Sequence, residues 1–255
     1  MEVNLQNIPN DWIVPDWSVP SNVKALFTTR QGGFSKGSNN QFVSLNLATH
    51  VNDDVVHVEQ NRALLRRLVP GEPKWLQQVH GVLPAWIDEQ TISGIAADAA
   101  ISKQRGIVCA VMVADCLPVF LCDRVGSVVA VAHAGWRGLV GGIIEKTVAA
   151  MGVDGNDLIA WLGPAIGPDH FEVGADVVEA FVERDKESEQ AFVLIDEVQK
   201  KWLADIFLLA RQRLLRVGVK QINGGGVCTY CDPLHFYSYR RDGETGRMAA
   251  LIWLE

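Results

Sequence analysis

In VMVADCLPV (residues 111–119) an acid and a thiol, Asp115 and Cys116, interrupt an apolar run, and seventeen residues after Cys116 the run SVVAVAHAGWRG carries His133. A third reactive side chain, His80, lies in WLQQVHG, which reads as a short strand ending in a turn at Gly81. Cysteine and histidine together are the donors that zinc prefers among common ions. Structural zinc sites usually draw on tight pairs such as C-x2-C, whereas catalytic sites gather three scattered ligands and leave a fourth position open. His80, Cys116 and His133 fit the scattered pattern. The same residue types also suit a metal-free cysteine hydrolase, with Cys116 as nucleophile, His133 as base and Asp115 or Asp98 as the orienting carboxylate. A zinc-stabilised binding or scaffold protein is a third reading. Each residue has a plain structural reading as well: a histidine satisfied by hydrogen bonds, or an inert buried thiol.

Other motifs carry less. Cys228 and Cys231 form a lone C-x2-C without a second pair or a thioredoxin-like context, so a structural or pocket-wall role is favoured. His57 and Glu59 loosely echo a deaminase H-x-E, but the proline of that signature is missing. GGIIEK and INGGGV lack the spacing of phosphate loops. Arg30, which opens a Gly-rich loop, and Arg137, four residues beyond His133, have the planar forked donors suited to phosphate. Most arginines are nonetheless surface charges.

The elements that must position these residues can be read from periodicity. VKALFTTR, IVCAVMVA, PVFLC, SVVAVAHA, LIAWL and MAALIWL read as buried strands, being short and rich in branched residues. DDVVHVEQNRALLRRLV, LVGGIIEKTVAAMG, ADVVEAFVERD and KWLADIFLLARQRLLRVG read as helices. QGGFSKGSNNQF (31–42) reads as a flexible lid. Strands and helices mix without regular βαβ alternation, which predicts an α+β fold, layered α/β/β/α, with mixed sheets flanked by helices. No linker divides the chain, so one domain over 1–255 is expected, with residues 1–22 an extension packed on it.

Bulk properties narrow the function. A chain of 255 residues that is 48% hydrophobic can bury its own core without disulfides or a structural metal. A net charge of −7 argues against general binding to nucleic acid or to an anionic membrane. The N-terminus lacks the form of a secretory signal, and charges and a proline break the most apolar stretch, 107–134. Five cysteines, an odd number, suit the reducing cytoplasm.

The blocks FTTRQGG, SLNLATHVND, QQVHG, AADAAIS, ADCLPV, AHAGWRG, LGPAIG and CTYCDPLHFYSYRRDGETGRMAALIWL occur in one order. In that order the chain, from about Phe27 almost to its end, resembles the YfiH-like family, labelled polyphenol oxidase or laccase domain and regarded as purine nucleoside phosphorylases. The resemblance implies a zinc site of His80, Cys116 and His133, with phosphorolysis of adenosine, inosine, guanosine and methylthioadenosine, and adenosine deamination in the same pocket. It adds Asn46 to Arg30 as a pocket residue, and leaves Arg62, Arg240 and Arg241 as weaker candidates. In such a site Arg30 would hold phosphate, Asn46 and Gln78 would bond ribose or base, and Asp115 would act as acid/base or orient a ligand histidine. The expected partners are thus purine nucleosides and phosphate, with no nucleic acid and no membrane. The laccase label is testable on composition. Multicopper oxidases need many histidines, largely as H-x-H, and this chain has six histidines and no H-x-H. Copper could still replace zinc at a His/Cys site, since it binds such donors more tightly.

Overall fold

The computed structural model describes residues 11–255; the N-terminal part of the proposed extension and of the segment weighed as a secretory signal lies outside them. Two sheets stacked face to face form the centre. The smaller is antiparallel, with β1 (Val23–Phe27) and β6 (Cys109–Val113) on either side of β14 (Met248–Leu254). The larger has six strands in the order β13 (Gln221–Gly224), β9 (Leu158–Leu162), β7 (Leu117–Asp123), β8 (Val129–Ala134), β5 (Ala99–Ser102) and β3 (Pro84–Trp86). Its two outer pairs are parallel and its inner pairs antiparallel, so it is a mixed sheet.

Side-chain alternation explains why the strands read as continuous apolar runs. Phe120 and Cys122 of β7 face the smaller sheet and pack with Val111, Ala250 and Ile252, while Leu117, Val119 and Leu121 face the helices. Those helices are α2 (Trp136–Gly141), α3 (Ile143–Met151), α4 (Ala175–Arg184) and α5 (Ile206–Arg216). On the far side, Leu26, Met112, Leu251 and Trp253 of the small sheet pack beneath α1 (Val55–Arg66) through Leu65. The result is the α/β/β/α layering expected from sequence. A further sheet of β10 (Glu172–Gly174), β12 (Lys201–Ala204) and β11 (Phe192–Asp196) lies outside these layers, as does the short parallel pair β2 (Leu76–Gln77) and β4 (Ile95–Ala96). In the described part of the N-terminal segment, Trp12 is buried, Ile13 bridges Phe27 and Trp17 meets Phe120 edge-on.

Three sequence expectations change. LVGGIIEKTVAAMG is two helices, because Gly142 adopts φ 98° and breaks the run between α2 and α3. KWLADIFLLARQRLLRVG begins as strand β12; its helix starts only after Asp205, whose carboxylate caps the amide of Leu208 at 2.9 Å. The loop 31–42 is no lid over the site. It is stitched to Asn61 and Ser44, with Phe34 N donating to Asn61 Oδ1 at 2.8 Å and Gly33 N to Ser44 Oγ at 3.0 Å.

Candidate active site

Two turns and a strand end deliver the reactive side chains. Cys116 sits in the connection between β6 and β7, His133 near the end of β8, and His80 after β2, at a turn made by His80 itself (φ 56°) rather than by Gly81. Asp115 also holds a positive φ, 83°. Non-glycine residues persist in that region only where their surroundings over-determine them, and here hydrogen bonds do so. The ligating atoms of His80, Cys116 and His133 all lie within 4.8 Å of one another, and Cys116 Sγ is 3.9 Å from His80 Nε2. The two imidazoles meet edge to face with centroids 4.8 Å apart. These donors suit a transition-metal ion, and among the described residues this is the one such group of three.

Asp98 builds the site from behind. Its fully buried carboxylate accepts from the amides of Val79 (3.2 Å), His80 (3.0 Å) and Gly81 (2.7 Å), and meets His133 Nδ1 at 2.9 Å. Its backbone carbonyl also receives the amide of His133 at 2.7 Å. A carboxylate can only accept, so His133 Nδ1 carries the proton and Nε2 is left as the lone-pair donor. Burial alone would raise the Asp98 pKa, but the bonds from His133 and Gly81 hold it below the usual carboxylate range.

Gly135 lets the thiol sit where it does: a Cβ there would come 2.9 Å from Cys116 Sγ and 3.3 Å from His80 Cδ2. Burial would push the Cys116 thiol up, but the charge and hydrogen bonds of His133 and His80 outweigh it and bring its pKa to about 6. Burial opposes protonation of His133, yet the Cys116 thiolate and Asp98 raise its pKa to about 9. In contrast, burial drives the Cys109 thiol up, and Cys122 to about 12, so both are inert.

The three ligands line a cavity of about 430 Å³, within the range of small-molecule sites. Met112, Ile166, Phe171 and Tyr239 give it apolar and aromatic walls, Arg240 and Arg247 make it basic, and His50 lies beside them.

The other sequence candidates fall differently. Arg30 lies outside this cavity, its nitrogens donating to the carbonyls of Val43, Asn40 and Pro233 while its guanidinium covers Tyr237. Asn46 is wholly buried and braces Ala48, Asp53 and Arg247 N. Arg137 is exposed and stacks on Trp136. Gln78 does line the cavity, but its amide group bonds both backbone groups of Met112. Asp115 lines it too, yet it orients no ligand histidine; its oxygens accept from Thr229 Oγ1, Ser238 Oγ and Arg240 N. Arg62 bonds Leu47 O over Trp75, and Arg241 is spent on the carbonyls of Thr229, Tyr230 and Phe236. Of the weaker candidates only Arg240 reaches the cavity. Sequence reading passed over His50, Phe171, Tyr239 and Arg247. Three of these lay in legible blocks, His50 in SLNLATHVND and Tyr239 and Arg247 in the long C-terminal block.

Fold and site together define a layered α+β protein with a three-donor group that could hold a metal ion at an open cavity. The chain belongs to the family described as multi-copper polyphenol oxidoreductase laccase, whose model matches residues 24–255. Its relatives carry a different name. It is 49% identical over 246 residues to a purine nucleoside phosphorylase of Pseudomonas aeruginosa, covering 96% of this chain and 99% of that one. It is also 49% identical over 244 residues to the purine nucleoside phosphorylase YfiH of Escherichia coli, covering 95% and 98%. A crystal structure of a Neisseria meningitidis protein superposes with a TM-score of 0.91 at 46% identity, covering 96% of this chain and all of the other.

Proposed function

We propose that this chain is a zinc-containing purine nucleoside phosphorylase, acting on adenosine, inosine, guanosine and methylthioadenosine, and that the same pocket deaminates adenosine. The observation that carries the reading is the convergence of His80, Cys116 and His133 within 4.8 Å at a cavity with aromatic and basic walls. Around tetrahedral zinc, ligand atoms stand roughly 3.3–3.6 Å apart, so the three donors need to close by little. Zinc in this position would supply Lewis acidity at its open corner.

The chain's own residues would do the rest. Phe171, Tyr239, Ile166 and Met112 provide flat apolar surface for a purine. In phosphorolysis an oxygen of hydrogen phosphate bonds C1′ as the bond from C1′ to the base breaks. The electron pair leaves with the base, which takes up the proton that phosphate gives up. Cationic charge builds on the ribose during this step, and an adjacent phosphate anion stabilises it. Holding both reactants in one cavity removes entropic cost, by up to roughly 7–11 kcal/mol in intramolecular models. In deamination water replaces the 6-amino group, giving inosine and ammonia. Asp98 would keep one proton fixed on His133 Nδ1, and the two histidines would hold Cys116 Sγ ionised for the metal. Odd cysteine number and five thiols suit the cytoplasm as the working compartment.

The test is incubation of adenosine with metal-loaded protein, with and without phosphate, followed by separation of products. Adenine with ribose-1-phosphate marks phosphorolysis, and inosine marks deamination. Neither product, with His80→Ala as control, would remove the reading.

A further inference from the structure

In a chain with net charge −7, two guanidinium groups share one cavity. Among the described residues neither Arg240 nor Arg247 enters an ion pair with a carboxylate, although other arginines do. Each spends only one nitrogen on the protein: Arg240 through Nη1 on His170 O at 3.2 Å, and Arg247 through Nη1 on Thr245 O at 2.7 Å and Gly246 O at 2.9 Å. Among the described residues, the remaining Nε and Nη2 donors of both have no protein acceptor. The one acid nearby, Asp115, already holds Thr229, Ser238 and the Arg240 amide. Arg247 is half-buried, and its unused donors are not sealed away, so they stay open to a ligand in the cavity. Burial lowers its pKa from the ordinary value, and the field of Arg247 and Arg62 adds to burial in lowering that of His50.

We propose that Arg240 and Arg247, with His50 beside them, form a subsite for a phosphate-class oxyanion, and that its ligand is free inorganic phosphate. Planar forked donors match such an anion in pairs. Both backbones are anchored: Arg240 N is tied to Asp115, the neighbour of Cys116, and the Arg247 amide is tied to Asn46 Oδ1. Arg240 also lies over the ring of Phe171 at 5.7 Å and Arg247 near that of Tyr239 at 6.0 Å. An anion held there stands next to the aromatic walls that would seat a purine. The assignment rests on the phosphorylase reading for its purpose and on the unpartnered donors for its existence.

The test separates the two. Calorimetric titration of metal-loaded protein with inorganic phosphate, and separately with adenosine 5′-monophosphate, measures the anion directly; steady-state phosphorolysis measures the phosphate KM. Arg247→Gln and Arg240→Gln should each weaken phosphate binding and raise the phosphate KM roughly ten- to a hundredfold, while the nucleoside KM moves far less. Arg247→Lys should recover part of the loss, and Arg240, being exposed, tolerates substitution if Arg247 does not. Phosphate binding that depends on these arginines, without any ribose-1-phosphate formed, upholds the subsite and removes the phosphorylase reading. Phosphorolysis with unchanged phosphate KM in both variants overturns the subsite and leaves that reading standing. Binding of the nucleotide but not of inorganic phosphate overturns the choice of ligand.

Discussion

Asp98 Oδ1 lies 2.9 Å from His133 Nδ1 and 3.0 Å from the backbone amide of His80, so one buried oxygen registers both imidazole-bearing segments. The spacing of two ligands is thus set by a residue that is not a ligand. Asp98→Asn keeps one acceptor and turns an NH2 group toward the amides of Val79 and Gly81. Metal affinity should fall by roughly 10–100-fold, the usual cost of losing a partner behind a ligand. Equilibrium dialysis against a competing chelator measures it, and an unchanged affinity would refute the positioning role.

Gly135→Ala is a second way to disturb the centre without removing a donor. Gly135 has φ −62° and ψ 158°, which alanine adopts freely, so the backbone is not at issue. The added methyl would press on Cys116 Sγ at 2.9 Å. We expect metal affinity to drop at least tenfold, a 1.4 kcal/mol effect, with a cooperative melt retained. Full metal content at limiting metal would refute it.

Ionisation of the thiol gives a pH prediction. The two histidines lower the Cys116 pKa from the ordinary thiol range to about 6, so the thiolate form dominates above about 6 and is lost as pH falls through it. Alkylation of metal-free protein by iodoacetamide should therefore be flat above neutrality and fall about tenfold per pH unit below the midpoint. His133→Gln should move the midpoint upward. Bound metal should protect the thiol; rapid labelling of metal-replete protein would favour the cysteine hydrolase instead. A midpoint near that of a free thiol would contradict the ion pair.

Asp115 ties the C-terminal segment to the turn that presents Cys116, through Thr229, Ser238 and Arg240 N. Asp115→Asn should cost roughly 1.5–3 kcal/mol of stability, the range for hydrogen bonds to charged groups. A positioning role leaves the shape of the pH–rate profile intact while raising KM. Loss of one limb of that profile would restore Asp115 as general acid or base.

What could be read in advance follows from where each signal resides. The donor cluster was legible because Cys116 and His133 interrupt apolar runs, and a polar group inside a continuous apolar run is conspicuous. The layering was legible for the same reason, from strands apolar on both faces. The division at Gly142 was visible as a glycine pair, but tertiary packing decides whether such a pair breaks a helix. Arg30 misled because a forked donor beside a Gly-rich loop looks the same whether it meets phosphate or three carbonyls. Arg240 and Arg247 differ from it in keeping Nε and Nη2 without an acceptor among the described residues, and that is a property of three-dimensional neighbours. Asp98 could be named as an orienting carboxylate, but its grip on the His80 loop could not.

The central claim is that one thiolate and two imidazoles hold a single ion with a corner left open. X-ray absorption at the metal edge of the zinc-loaded protein tests it most directly. One sulfur near 2.3 Å, two imidazole nitrogens near 2.0–2.1 Å and one light atom exchangeable with solvent are predicted, at about these zinc–ligand distances. Two or more sulfurs, or a fourth side chain closing the shell, would contradict the account.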